Sequence, residues 1–126
     1  MRLGKIYFTL RDKEEEIDEM WDNGRVKGYE LSFKNCKDRI SIKRGCTTFI
    51  YGAPASGKSQ IWFEFLVDLS VNHSLKHAIY SPETGNAHDV FIELMTIYCQ
   101  KNFFKGDNRM TEEEKETAKN LSLIHI

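Results

Sequence analysis

A chain of 126 residues, 40% hydrophobic and 29% charged, has the composition of a soluble globular protein rather than a disordered or membrane-spanning one, and the length of one modest domain or a piece of a larger one. Its longest apolar stretch, Ile61 to Val67, is broken by Glu64, and the opening MRLGKIYFTLRD lacks the apolar run of a signal peptide, so no membrane contact and a cytoplasmic location are expected. The formal net charge of -1 gives no bulk electrostatic argument for a nucleic-acid partner.

In chain order, the first predicted element is an amphipathic helical arm. Leu10, Ile17, Met20 and Trp21 recur at a spacing that places them on one side of a helix from about 10 to 22. Thr9 is its candidate cap, Asp12 supplies a carboxylate in the manner of a capping box, and Asn23-Gly24 ends it. Residues 1–26 are read as this arm. Acidic residues dominate from Asp12 to Glu19, whereas Lys34, Lys37, Arg39, Lys43 and Arg44 form a basic stretch; each run reads as a solvated face. From Gly28 to Ser41 the pattern is irregular, with Leu31, Phe33 and Ile40 as apolar anchors among short strands or turns. Cys36, Cys46 and Cys99 are odd in number and far apart, which fits reduced thiols rather than a disulfide framework or a zinc site.

The informative unit follows. Thr47, Thr48, Phe49, Ile50 and Tyr51 are all β-branched or aromatic, which predicts a short buried strand stopped by Gly52. It feeds the loop Gly52, Ala53, Pro54, Ala55, Ser56, Gly57, Lys58, Ser59, whose spacing is that of the phosphate-cradling pattern G-x-x-x-x-G-K-[ST]. Each residue type has a physical task there. Gly52 and Gly57 permit backbone conformations and close approaches denied to residues with a Cβ, so that consecutive N–H groups can converge on phosphate oxygens. Pro54 stiffens the loop by fixing one φ. Lys58 would carry its ammonium to the β and γ phosphates, Ser59 would offer its hydroxyl to Mg²⁺, and Gln60 continues the set into the helix start, whose partial positive charge favours an anion.

Downstream, Ile61, Trp62, Phe65, Leu66 and Leu69 predict the inward face of a helix over about 57 to 72. His77 to Tyr80 predicts a second short strand, and the helix between the two strands makes a β-α-β crossover in a parallel sheet flanked by helices. Ser81-Pro82-Glu83 leaves the carboxyl end of that strand, the edge at which ligands lie in open α/β sheets, so Glu83 is a candidate to orient an attacking water; the alternative is a solvated Glu after a Pro turn. Asn86 reads as the cap of a helix with Val90, Phe91, Leu94, Ile97 and Tyr98 on its apolar side, and Thr111 with Glu114 as the capping box of a last helix. His73 and His77 are four apart without a third ligand, which argues against a metal site. Trp21 and Trp62 read as packing residues.

The run from Gly45 to Glu83, GCTTFIYGAPASGKS followed by a helix and HAIYSPE, resembles the beginning of the RecA-like ATPase core of hexameric replicative helicases of the DnaB and Twinkle type. The likeness extends from KGYELSF at Lys27 to RMTEEE at 109–114. It implies an α/β fold, a partial RecA-like P-loop core over 27–120, with Gly52 to Ser59 as the nucleotide-binding loop for ATP and Mg²⁺ and Glu83 as the catalytic glutamate. It further implies a homo-hexamer that hydrolyses ATP between neighbours and moves along single-stranded DNA. The family's second acidic motif, DNA-contacting loops and arginine finger are expected beyond Ile126. Because an arginine finger alone is worth a factor of about 10³ to 10⁵ in rate, turnover by these residues alone is expected to be negligible. Two other readings share the loop: a recombinase or regulatory ATPase of the same fold, and a small-molecule kinase. An acidic residue poised over a water favours hydrolysis over transfer.

The terminal LSLIHI, residues 121–126, coincides with the translation of CTG TCT CTT ATA CAC ATC, the end of a transposase adapter used in sequencing libraries. This segment is therefore expected to be adapter rather than native sequence.

Overall fold

The computed structural model describes residues 7–120 and the backbone of 124–125; the rest of the expected adapter segment and residues 1–6 of the arm lie outside the described residues. The arm begins with a 3-10 turn, Leu10–Lys13, and continues as α1, Glu14–Asn23. Its start carries the predicted cap: the Asp12 carboxylate accepts from the Thr9 N–H at 2.8 Å and from the Thr9 hydroxyl at 2.7 Å. No residue of α1 is buried, and Trp21 is 88% exposed. The apolar stripe exists as predicted, with Ile17 and Met20 about half exposed.

Two short strands, β1 (Tyr29–Glu30) and β2 (Ser41–Ile42), pair antiparallel. Then come α2 (Lys58–His73), β3 (His77–Ala78), α3 (Ala87–Cys99) and α4 (Glu112–Asn120), and β3 pairs parallel with β4 (Ile124–His125). The strand expected at Thr47 to Tyr51 is not formed. Those residues carry no ladder, and Phe49 and Tyr51 are 85% and 94% exposed. β-branched and aromatic composition favours an extended backbone, but a strand exists only when its N–H and C=O groups find a neighbour, and among the described residues none pairs here. The crossover from this segment to β3 therefore lacks its first ladder.

The core lies between α2 and α3, where Phe63, Leu66, Val90 and Leu94 are buried together and Trp62, Val67, Ile79 and Ile97 pack around them. α2 is apolar on nearly every side from Ile61 to Val67, so periodicity alone does not choose its inward face. The structure selects Phe63, Leu66 and Leu69, and leaves Ile61, expected inside, 47% exposed. On α3, Val90 and Leu94 point inward as predicted, while Phe91 is partly exposed.

A polar clamp ties the irregular segment before the loop to the far half of α2. The buried Asp68 carboxylate accepts from the Ser32 N–H at 3.0 Å, from the Ser32 hydroxyl, and from the Asn72 side-chain amide at 2.8 Å. Beside it, His73 Nε2 lies 2.7 Å from the Glu30 carbonyl and its ring tilts against Tyr29 at 5.2 Å. Leu31, between these contacts, is almost fully buried. At the other end, α4 is held to α3 by Lys101 Nζ, which donates to Glu114 at 2.6 Å, and by Cys99 Sγ, which donates to the Glu114 carbonyl at 3.7 Å. Glu114 also completes the predicted capping box, accepting from the Thr111 N–H at 2.7 Å while its own N–H donates to the Thr111 hydroxyl at 3.2 Å.

Removing a buried acceptor leaves its donors unsatisfied, at a cost of about 1–3 kcal/mol. Asp68→Ala is therefore expected to lower unfolding stability by about that amount. Urea titration followed by tryptophan fluorescence measures it; a midpoint unchanged from wild type would show that the clamp contributes nothing.

Candidate functional site

The loop is built from a tight turn and two left-handed residues. The Ser56 N–H donates to the Ala53 carbonyl at 3.3 Å, and Ala55 (φ 58) and Gly57 (φ 83) place positive φ at alternate positions. Alternation of handedness turns successive N–H groups toward one side, the geometry of an anion-binding concavity. The two glycines serve different ends. A Cβ on Gly57 would meet no atom within 4 Å, so that position needs glycine for its φ alone. A Cβ on Gly52 would sit 3.0 Å from Ser56 Oγ and 3.5 Å from the Lys58 side chain, so a larger residue there would oblige the Ser56 hydroxyl to shift.

Gly57 is also the residue from which α2 starts, and no side chain caps that end. The first intrahelical bond runs from the Ile61 N–H to the Gly57 carbonyl at 3.0 Å, which leaves the N–H groups of Lys58, Ser59 and Gln60 without an acceptor inside the helix. Together with the aligned peptide dipoles, these donors give the end its affinity for anions. The Lys58 ammonium folds back over the loop and donates to the carbonyls of Gly52 at 3.0 Å and Ala53 at 2.8 Å. An ammonium has three donors, so one is left to aim outward. Gly52 to Gly57 are all exposed to solvent. The Gln60 side-chain amide donates along the helix to Glu64 at 3.3 Å.

A cleft of about 450 Å³ adjoins the loop. Its walls are Ser59, Trp62, Phe63 and Leu66 of α2 and the segment from Lys76 to Ser81. Ser59 and Ser81, the first residue of the turn that carries Glu83, thus face one hollow. In that turn the Thr84 N–H donates to the Ser81 carbonyl at 3.3 Å and the two hydroxyls bond each other, with Pro82 and Glu83 as the central pair. Glu83 is exposed, and among the described residues no hydrogen bond or ion pair engages it. Gly85 follows with φ 103, and a Cβ there would lie 2.6 Å from the Asp89 carboxylate, which accepts from the Asn86 N–H at 2.9 Å to cap α3. That close approach fixes where the turn hands over to the helix.

His77 is a site residue that sequence reasoning set aside. It lines the cleft, its Nε2 is buried without a partner, and burial pushes its pKa below the ordinary 6.5, opposed by a hydrogen bond that the ring donates to the Leu66 backbone. His73, bonded to the Glu30 carbonyl, is spent on the clamp, and among the described residues no cluster of three or more His, Cys, Asp or Glu side chains could hold a metal. Nor is any helix among them long and apolar enough to cross a membrane.

No family model matches the chain, and no solved structure matches it. It is 32% identical, over 121 aligned positions, to the Twinkle homolog protein, chloroplastic/mitochondrial, of Arabidopsis thaliana. That alignment takes in 89% of this chain and 17% of the relative, so the chain spans a small part of the protein it matches. The similarity ties the chain to Twinkle-type proteins at low identity. The relative's name assigns that protein to organelles, so it lends no support to a cytoplasmic location here.

A histidine whose folded pKa lies below its unfolded value binds its proton more readily in the unfolded chain. Its contribution is complete above the unfolded value of 6.5 and is lost as pH falls from there toward the folded value. Glu114 has the opposite origin and a separate window: the Lys101 ammonium holds its carboxyl below the ordinary 4.5, so that contribution persists at mildly acidic pH and is lost only as pH falls below that range. Thermal melts between about pH 7.5 and 5.5 should show a falling Tm in wild type and a smaller fall in His77→Gln. Equal slopes in the two proteins would remove His77 from the account.

Proposed function

We propose that this chain is the ATP-binding part of a DNA-dependent ATPase motor of the replicative-helicase type, with a partial RecA-like core over 27–120. The observation that carries the reading is the loop from Gly52 to Ser59, solvent-facing and curled into the uncapped start of α2. The similarity to a Twinkle homolog supports the same class. In this reading the loop amides and the Lys58 ammonium hold the triphosphate, the ammonium exchanging its carbonyl partners for phosphate oxygens. Ser59 gives its hydroxyl to Mg²⁺, whose role when bound is to neutralise developing charge on the phosphates.

Glu83 is the residue proposed to orient and deprotonate the attacking water. Its support is the shared cleft, which brings the Ser81 turn to the same hollow as Ser59, and its exposed carboxylate, which has no competing partner among the described residues. Phosphoryl transfer asks little more of a side chain than this, because most of the barrier is lowered by positioning and charge neutralisation. Translocation on single-stranded DNA and a hexameric ring are proposed for the full-length protein, of which these residues are one part.

Two measurements test the reading. A fluorescent ATP analogue titrated into the chain with Mg²⁺ should bind, and Lys58→Ala should weaken it by about 10- to 100-fold, the worth of one charge-assisted hydrogen bond of roughly 1.5–3 kcal/mol; retained affinity would rule out the loop as the phosphate site. In the full-length protein, Glu83→Gln should leave ATP binding intact and lower ATP turnover by about 10²- to 10⁴-fold. Unchanged turnover would place the water-activating group elsewhere.

A further inference from the structure

The turn that carries Glu83 is braced at both ends, and none of the bracing involves the Glu83 side chain. Its near end is closed twice: the Thr84 N–H donates to the Ser81 carbonyl at 3.3 Å, and the Ser81 and Thr84 hydroxyls bond each other. Both residues are half-buried, whereas Pro82 and Glu83 between them are exposed. Pro82 stands at the first central position, where the φ that its ring imposes is the one common turns require. The far end is tied to α3. There the Asp89 carboxylate accepts from the Asn86 N–H at 2.9 Å, and Gly85, at φ 103, leaves it room: a Cβ would lie only 2.6 Å away.

This is more bracing than a reversal of the chain needs, since many turns close without even the backbone bond. The side-chain bond across Ser81 and Thr84 adds a second constraint on the two peptides that flank Glu83. An exposed carboxylate with no partner of its own takes its position from its backbone alone, and a reacting group misplaced by about 1 Å can cost about 10²-fold in rate. We propose that Ser81 and Thr84 are positioning residues, whose hydroxyl pair locks the turn and so fixes where the Glu83 carboxylate stands beside the cleft. The proposal rests on the reading of Glu83 as the group that orients the attacking water. Ser81 lines the same cleft as Ser59, so the locked turn is continuous with the wall next to the phosphate loop. The pair touches neither nucleotide nor water in this account; it acts through Glu83.

Steady-state ATP turnover by the full-length protein, with nucleotide affinity measured alongside, tests this. Thr84→Val keeps the shape of the side chain and removes the hydroxyl; it should lower kcat by about 10- to 100-fold and leave KM and nucleotide affinity as in wild type. Thr84→Ser retains the hydroxyl and should keep kcat within about threefold of wild type. The deciding arm is a double variant. If Thr84 acts through Glu83, losing its hydroxyl costs nothing further once the carboxylate is gone, so Glu83→Gln combined with Thr84→Val should turn over ATP at the rate of Glu83→Gln alone. Equal kcat in Thr84→Val and wild type, or a Thr84→Ser protein as slow as Thr84→Val, overturns the positioning role and leaves Glu83 in place. So does a Thr84→Val protein that loses nucleotide affinity, or one whose defect repeats in full in the Glu83→Gln background, since either marks a general structural role. A Glu83→Gln protein with wild-type turnover removes the water-orienting role itself, and the positioning role with it.

Discussion

One backbone conformation sets the geometry of the site: the left-handed turn at Gly57, from which α2 departs. Because that residue holds positive φ, the loop can reverse directly into a helix, whose first N–H groups have no acceptor inside the helix. A residue with a Cβ would find room there but not the conformation, at a cost of about 1–2 kcal/mol. Everything attributed to Lys58 and Ser59 follows from their places as the first two residues of the helix so launched. Lys58 reaches back over the loop because its Cα sits one residue past the turn, and Ser59 opens on the cleft because it sits one residue further round.

The helix that starts at the turn is held in place by contacts far from it. Phe63 and Leu66 fasten its first half to α3, while Asp68 and His73 fasten its second half to the segment carrying Ser32 and Glu30. A buried carboxylate in such a small core is tolerable only because three donors satisfy it. The resulting frame positions the loop from behind and leaves its front open to solvent. An exposed loop on a braced helix is the arrangement expected of a binding element, since the scaffold supplies precision and the loop supplies access.

What could be read from the sequence was what is local. The caps at Thr9 and Thr111, the start of α3 at Asn86 and the extents of the helices depend on residues within a few positions of one another, and the structure has them in place. The segment from Thr47 to Tyr51 shows the limit: its composition favours extension, but a ladder depends on a second segment that composition does not name. The inward face of α2 was obscured for a related reason, since a helix apolar on nearly every side takes its orientation from what packs on it. The Asp68 clamp joins residues 36 apart. Its one local sign was an aspartate within an otherwise apolar stretch of helix. The unpartnered nitrogen of His77 left no local sign, because it follows from how β3 and α2 enclose a cleft.

The central claim is that the bend from Ala53 to Ser59 receives the phosphates of a nucleotide. Backbone amide resonances of a ¹⁵N-labelled chain, followed while Mg²⁺ and ADP are added, test it most directly. The account predicts saturable shifts concentrated at the amides of Ala55 to Gln60, with the β1 and α4 amides unmoved. Shifts absent from those amides, or spread evenly over the chain, would contradict it.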